Sequence, residues 1–254
     1  MCNECGLTWC HSMCPNYDPH DDPSVSGFCE NCGKPLHGDP FPALCPECKE
    51  ELKTMHTIEF DAETHTYIVD DEQVPCVSDI ISVYGVDVEE GDDLELLMDA
   101  AAERGTVLHA VIASYLRGET EVEYPSSYEP YVDGIRLFLS EHRVEPLSIE
   151  TPVFCEKYGI AGTPDLLCEF DGRLAVIDYK FVSQIAKTKV KAQLNAYDIA
   201  YEEMGVYPEE RLAIQFMKDG TYRIYPVAYG EDELEAAFKV YMYKHKRHKR
   251  GEIS

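Results

Sequence analysis

The chain has 254 residues, 44% of them hydrophobic and 11% aromatic, with 48 acidic against 22 basic side chains and a net charge of −26. That length and apolar share fit one or two globular domains and exclude a chain that is disordered throughout. No apolar run approaches the roughly 20 residues of a membrane span, and the opening Met-Cys-Asn-Glu-Cys lacks a basic-then-apolar secretory leader. The expected setting is therefore cytoplasmic, inside a host cell if the chain is viral, with no membrane partner.

Eight of the eleven cysteines fall within the first 48 residues, which marks residues 1–55 as a cysteine-rich module and residues 56–254 as a second domain. Cys29, Cys32, Cys45 and Cys48 have the spacing of a zinc ribbon, in which each Cys-x2-Cys pair delivers two thiolates to one tetrahedral Zn²⁺. Cys2, Cys5, Cys10 and Cys14 read as a second zinc set, with His11 or His20 as substitutes for a cysteine and interleaved pairing of the two sets as the alternative. Disulfides are disfavoured without a secretory leader. A module this small has little to bury, so structural zinc would supply its stability.

The second domain opens with alternating segments at residues 57–61 and 66–70, read as a hairpin, and a short helix over 77–84. Residues 92–116 have helical spacing, with a break expected near Gly105. A further helix is expected over 128–142 and a strand over 149–155. The acid is concentrated here: residues 57–142 hold 21 acidic and 3 basic groups, whereas residues 143–254 hold 18 and 16. A strongly acidic chain is a poor partner for phosphate, but the near-neutral C-terminal part contains two basic clusters. Lys187, Lys189 and Lys191 are candidate DNA contacts; the plain alternative for them, and for the cluster from Lys244 to Arg250, is a solvated helix face.

Residues 166–170 and 174–181 are apolar and β-branched, and Asp171-Gly172 between them is a strong two-residue hairpin signal. With that loop Phe170 pairs with Arg173, and the register runs back until Asp165 faces Asp178. Directly paired side chains lie on one face, about 5 Å apart, so two carboxylates there call for a compensating cation. Lys180 shares the face of Asp178. Two acids that can grip a divalent metal, with an ammonium beside them, describe a site for cutting phosphodiesters. The alternative is a salt bridge between Asp178 and Lys180 at a strand end, with Asp165 in a turn.

A helix over 188–204 follows, then a hairpin of 211–217 and 222–227 around Asp219-Gly220, then a helix over 232–246. Gln193 and Tyr197 share a helix face, where a core role is the ordinary reading. For His109 on the helix 104–116, too, a structural role is the ordinary reading. Glu150 is either a third carboxylate or a solvated strand residue. Cys76, Cys155 and Cys168 lack motif spacing and read as buried small hydrophobes. The element order predicts an α/β (α+β) fold with a mixed central sheet flanked by helices.

In sequence order, Thr66-Tyr67 to Val77-Ser78, Arg104-Gly105-Thr106-Val107-Leu108-His109, Glu150-Thr151-Pro152-Val153, Gly162-Thr163-Pro164-Asp165, Ile177-Asp178-Tyr179-Lys180 and Gln193-Leu194-Asn195-Ala196-Tyr197 resemble the PD-(D/E)XK nuclease superfamily, in particular RecB-type phage exonucleases. The resemblance runs from about Thr57 to Val227. It implies a restriction-endonuclease-like core and a deoxyribonuclease that hydrolyses DNA by metal-activated water. It implies that Asp165, Asp178 and the Tyr179 backbone carbonyl bind Mg²⁺ or Mn²⁺, and that Lys180 orients the attacking water. His109 would support the metal or the scissile phosphate, and Gln193 and Tyr197 would brace the site. The second acid is Asp178 where Glu is commoner. No cysteine follows Cys168, which favours zinc over an iron–sulfur cluster. An exonuclease of phage recombination, repair or replication is the leading expectation, with a recombinase, single-strand-binding protein or helicase in trans. An endonuclease or a spacer-acquisition-like single-strand nuclease is one alternative, and a non-catalytic zinc-ribbon adaptor is the alternative of another class.

Overall fold

The structure is a computed structural model that describes residues 25–28, 35–37, 56–62, 64–85 and 92–249, with side chains described over 56–62, 64–85 and 100–245. The chain divides into two compact units, Met1–His56 and Thr57–Ser254. In the first, β1 (Val25–Phe28) and β2 (Pro35–His37) pair antiparallel, Phe28 opposite Pro35. All eight cysteines assigned above to zinc lie outside the described residues.

The second unit begins with a three-stranded sheet of β3 (Ile58–Asp61), β4 (Thr66–Val69) and β5 (Glu72–Val74). After α1 (Val77–Ile81) and a 3-10 turn come the long α2 (Asp92–Leu116) and α3 (Glu129–Glu141). Strands β6 (Val144–Ile149), β9 (Leu166–Phe170), β10 (Arg173–Lys180), β11 (Glu210–Phe216) and β12 (Tyr222–Pro226) form the central sheet in the order β12-β11-β10-β9-β6. Only β10 and β11 run parallel. A parallel pair needs a crossover, and α4 (Lys187–Glu203) supplies it. The small hairpin of β7 (Val153–Cys155) and β8 (Ile160–Gly162) stands apart from that sheet, and α5 (Asp232–Lys249) closes the described chain. No helix among the described residues is long and apolar enough to cross a membrane.

Alternation along the central strands builds two cores. Ala175, Ile177 and Tyr179 face one way, with Leu166, Ile214 and Phe216, and meet Leu108, Ile112, Ile135 and Phe138 of α2 and α3. Val176, Leu167 and Ala213 face the other, with Leu194, Tyr197 and Tyr201 of α4 and Leu234 and Ala237 of α5. In α3 the burial of Val132, Ile135 and Phe138, each fully inside, is worth about 1.5–3 kcal/mol per side chain. That outweighs the roughly 1 kcal/mol cost of Gly134 in a helix. Gly134 allows a close approach there, since a Cβ would come within 3.1 Å of the Thr221 carbonyl.

Two expected elements differ. The helix 92–116 is continuous through Gly105: one glycine costs about 1 kcal/mol, too little to break a long helix buried on one side. The expected strand 149–155 is two strands, because β6 ends at Ile149 and Glu150 takes a left-handed backbone, φ +48°. That turn sends Val153–Cys155 into pairing with Ile160–Gly162. The three cysteines of this unit are free and buried, as their lack of motif spacing suggests, and burial pushes the Cys155 and Cys168 thiols up to about 12.

Candidate active site

Asp171 and Gly172, both at positive φ (+48° and +88°), close a two-residue turn of the kind that matches strand twist. They fix the register Phe170 opposite Arg173 through to Leu166 opposite Ile177. Asp165 and Asp178 are the next positions along that register, beyond the last ladder pair. In place of a further backbone bond, Tyr179 donates its N–H to Asp165 Oδ2 at 2.6 Å. The Asp165 carbonyl in turn accepts from Glu150 N at 3.1 Å.

Asp178 is 2% exposed. Its Oδ2 forms an ion pair with Lys180 Nζ at 2.6 Å, but off the hydrogen-bonding direction, so that this buried oxygen has no aligned donor. Lys180 Nζ also donates to Gln193 Oε1 at 3.0 Å, and Gln193 Nε2 donates to the Tyr197 hydroxyl at 3.3 Å. Strand β10 and helix α4 are thereby linked by one polar line. From the opposite core, α2 brings His109 Nδ1 to 3.1 Å from Asp165 Oδ1. Glu150 lies on the bend after β6 rather than on a strand, exposed, with Oε2 3.7 Å from Arg117. With Gly105, Thr106, Thr163, Gln193 and Tyr197, the residues His109, Glu150 and Asp165 line a cleft of about 690 Å³.

The two acids are driven apart electrostatically. Burial raises both. At Asp165 it is overcome by the His109 ring, Lys180 and the Tyr179 N–H, which hold that carboxyl below its ordinary value. At Asp178 burial prevails over Lys180, assisted by the Asp165 charge, and the carboxyl is held up. Burial opposes charge on His109 and on Lys180 as well, yet Asp165 and Asp178 outweigh it and raise both. Burial keeps the Tyr197 phenol well above its ordinary range.

The donor chemistry fits a hard divalent cation. Among the described residues no three His, Cys, Asp or Glu side chains gather into a cage; Mg²⁺ does not require one, since it keeps several waters and takes one or two carboxylates. Asp165, Asp178 and the Tyr179 carbonyl are all oxygen donors, and Asp178 Oδ2 is buried beside Lys180 without an aligned hydrogen bond.

The three candidate DNA lysines lie on α4 in different surroundings. Lys189 is half-buried, its ammonium disfavoured by burial and by nearby Lys180. Lys191 is tied to Glu233 of α5 at 2.8 Å, and Lys187 is exposed. Two supporting residues carry no spacing signal. Gln215, 2% exposed, donates to the Val182 carbonyl and accepts from Tyr225, and Arg104 donates to the Phe181 carbonyl. Both hold the chain just past Lys180. The glutamine in the apolar run Leu212–Phe216 is the one hint of this in the sequence.

A family model described as the PD-(D/E)XK nuclease superfamily matches residues 84–254. Among solved structures, an alkaline exonuclease from Laribacter hongkongensis is similar at 10% identity and TM-score 0.34, over 70% of this chain and 93% of that one. The structure of SSO0001 is similar at 19% identity and TM-score 0.33, over 65% of this chain and 71% of that one. No curated protein matches the chain.

Proposed function

The chain belongs to the PD-(D/E)XK nuclease superfamily, and on that premise we propose that it is an Mg²⁺- or Mn²⁺-dependent deoxyribonuclease that works as an exonuclease on DNA ends. The observation that carries this reading is a single one. Asp165, Asp178 and Lys180 act on one another's charge at the end of an apolar hairpin, with Asp178 Oδ2 buried against Lys180 but not aligned with any hydrogen-bond donor.

Asp165, Asp178 and the Tyr179 carbonyl would hold the metal. Bound there, it would supply Lewis-acid charge at the phosphoryl oxygen and lower the pKa of water. Lys180, raised and held between Asp178 and Gln193, orients the attacking water and stabilises charge that builds on the phosphorus oxygens. The new P–O bond forms from water, the P–O bond to the departing sugar breaks, and the sugar oxygen leaves with a proton. His109, charged more readily than a free imidazole, can donate to a phosphate oxygen. Gln193 and Tyr197 fix the Lys180 ammonium.

The test uses the full chain with end-labelled linear duplex, single strands and closed circular DNA in Mg²⁺ and in Mn²⁺. Loss of linear DNA in the wild type, an intact circle, and inactivity of Asp178→Ala and Lys180→Ala are the expected results. Cutting of the circle would replace the exonuclease reading with an endonuclease. DNA left whole under every metal and end would overturn the proposal.

A further inference from the structure

The cleft has a second wall, and no residue of the acid pair belongs to it. Phe60 on β3 and Tyr67 on β4 are direct cross-strand partners, stacked with ring centroids 4.6 Å apart at 29°. His65 meets the edge of both, at 5.3 Å and 5.9 Å. Tyr67 is buried, and its hydroxyl hydrogen-bonds Thr163 Oγ1 at 2.9 Å, two residues before Asp165. Phe60 and His65 are exposed, Phe60 by 37%. His65 holds its ring there from a turn backbone at φ +52°. All three rings line the same cleft as Asp165 and His109.

We infer that this hairpin is a stacking wall: an unpaired base of the strand being cut lies against Phe60 and His65 while its phosphate sits at Asp165 and Asp178. The inference rests on the nuclease reading and deepens it by naming the substrate class, a single-stranded or frayed end, because a base that stacks on a side chain has left its duplex.

Charge points to the same occupant. From Thr57 through Glu103 the sequence contains no Lys or Arg, so this wall offers no permanent cation to a nucleic acid's phosphates. Aromatic faces hold bases without cations and tolerate any sequence. A ring anchored through Tyr67 and Thr163 to the short link that leads into Asp165 also sets the distance from base to scissile phosphate.

The test compares kcat/KM of the full chain on single-stranded oligonucleotides that carry either a normal base or an abasic sugar beside the scissile phosphate. Stacking of one base corresponds to a preference for the base-bearing strand on the order of 5- to 150-fold. Phe60→Ala is expected to bring that ratio close to one and Phe60→Trp to restore it. Phe60→Leu keeps apolar packing on Tyr67 but has no π face, so it separates stacking from fold support; it should behave as Phe60→Ala. A wild-type ratio near one, or an unchanged ratio in Phe60→Leu, overturns the inference while the nuclease reading stands. Absence of cleavage with any DNA overturns both.

Discussion

Tyr179 donates its backbone N–H to the side chain of Asp165, 2.6 Å away, where an ordinary hairpin would pair backbone with backbone. The strand end is thereby held by the same carboxylate that, in the proposed function, receives the metal. One oxygen of Asp165 serves Tyr179 and the other faces His109. Removing that carboxylate therefore has separable consequences.

Asp165→Ala should lower the His109 pKa. In the wild type burial depresses it, and the Asp165 and Asp178 charges more than compensate, so it lies above its ordinary value. Without Asp165 the burial effect remains and its main opponent is gone. NMR titration of the His109 ring should show the midpoint move down in the variant. The sign for stability follows: a raised His contributes below its unfolded pKa of about 6.5 and loses that contribution as pH climbs through the folded value.

Asp178→Ala and Lys180→Ala should each reduce the cleavage rate by on the order of 10²–10³ or more, the scale of losing a single charge-stabilising group at a reacting centre. Both together should cost little more than either alone, because groups that act as a unit are not additive. Single-turnover rates on a linear substrate measure this.

Asp198 predicts a pH-dependent stability. It is fully buried against Arg211 at 3.1 Å, and burial pushes its carboxyl up to about 6. The folded state then binds a proton that the unfolded chain has released, so stability falls as pH rises from about 4 to 6. The loss is on the order of 3 kcal/mol. Urea unfolding across that window should show the slope in the wild type and lose it in Asp198→Asn.

Two glycines should behave oppositely. A Cβ at Gly162 would sit 2.8 Å from Tyr197 Cε1 and 2.9 Å from Val77 Cγ2, so Gly162→Ala should destabilise by about 1–3 kcal/mol. A Cβ at Gly105 meets nothing within 4 Å, and Gly105→Ala should stabilise by up to about 1 kcal/mol through helix propensity. Chemical denaturation reads both.

Metal analysis of the purified chain should find zinc, about two ions in the arrangement of two four-ligand sites, and Cys29→Ser should reduce it. A content of iron instead would replace the zinc reading.

The hairpin register was legible because its information is local: the Asp171-Gly172 loop and period-two alternation together dictate which residues pair. The polar line from Lys180 to Tyr197 was legible only in part. The i, i+4 spacing put Gln193 and Tyr197 on one face, but nothing short of the packed crossover shows that face meeting Lys180. The left-handed bend at Glu150 was illegible, since Glu is not a residue that announces positive φ. The aromatic wall was missed for a related reason. Phe60, His65 and Tyr67 meet through a hairpin register, and only their joint placement beside Thr163 gives them a neighbour of interest.

The crossover that makes β10 and β11 parallel is also the arm that carries Gln193 and Tyr197. Between Lys180 and α4 the chain is pinned twice, by Arg104 at Phe181 and by Gln215 at Val182. Insertions or deletions in residues 181–186 should therefore be poorly tolerated among descendants of this gene. Evolutionary drift in this protein should leave the six-residue bridge at its length while its neighbours change.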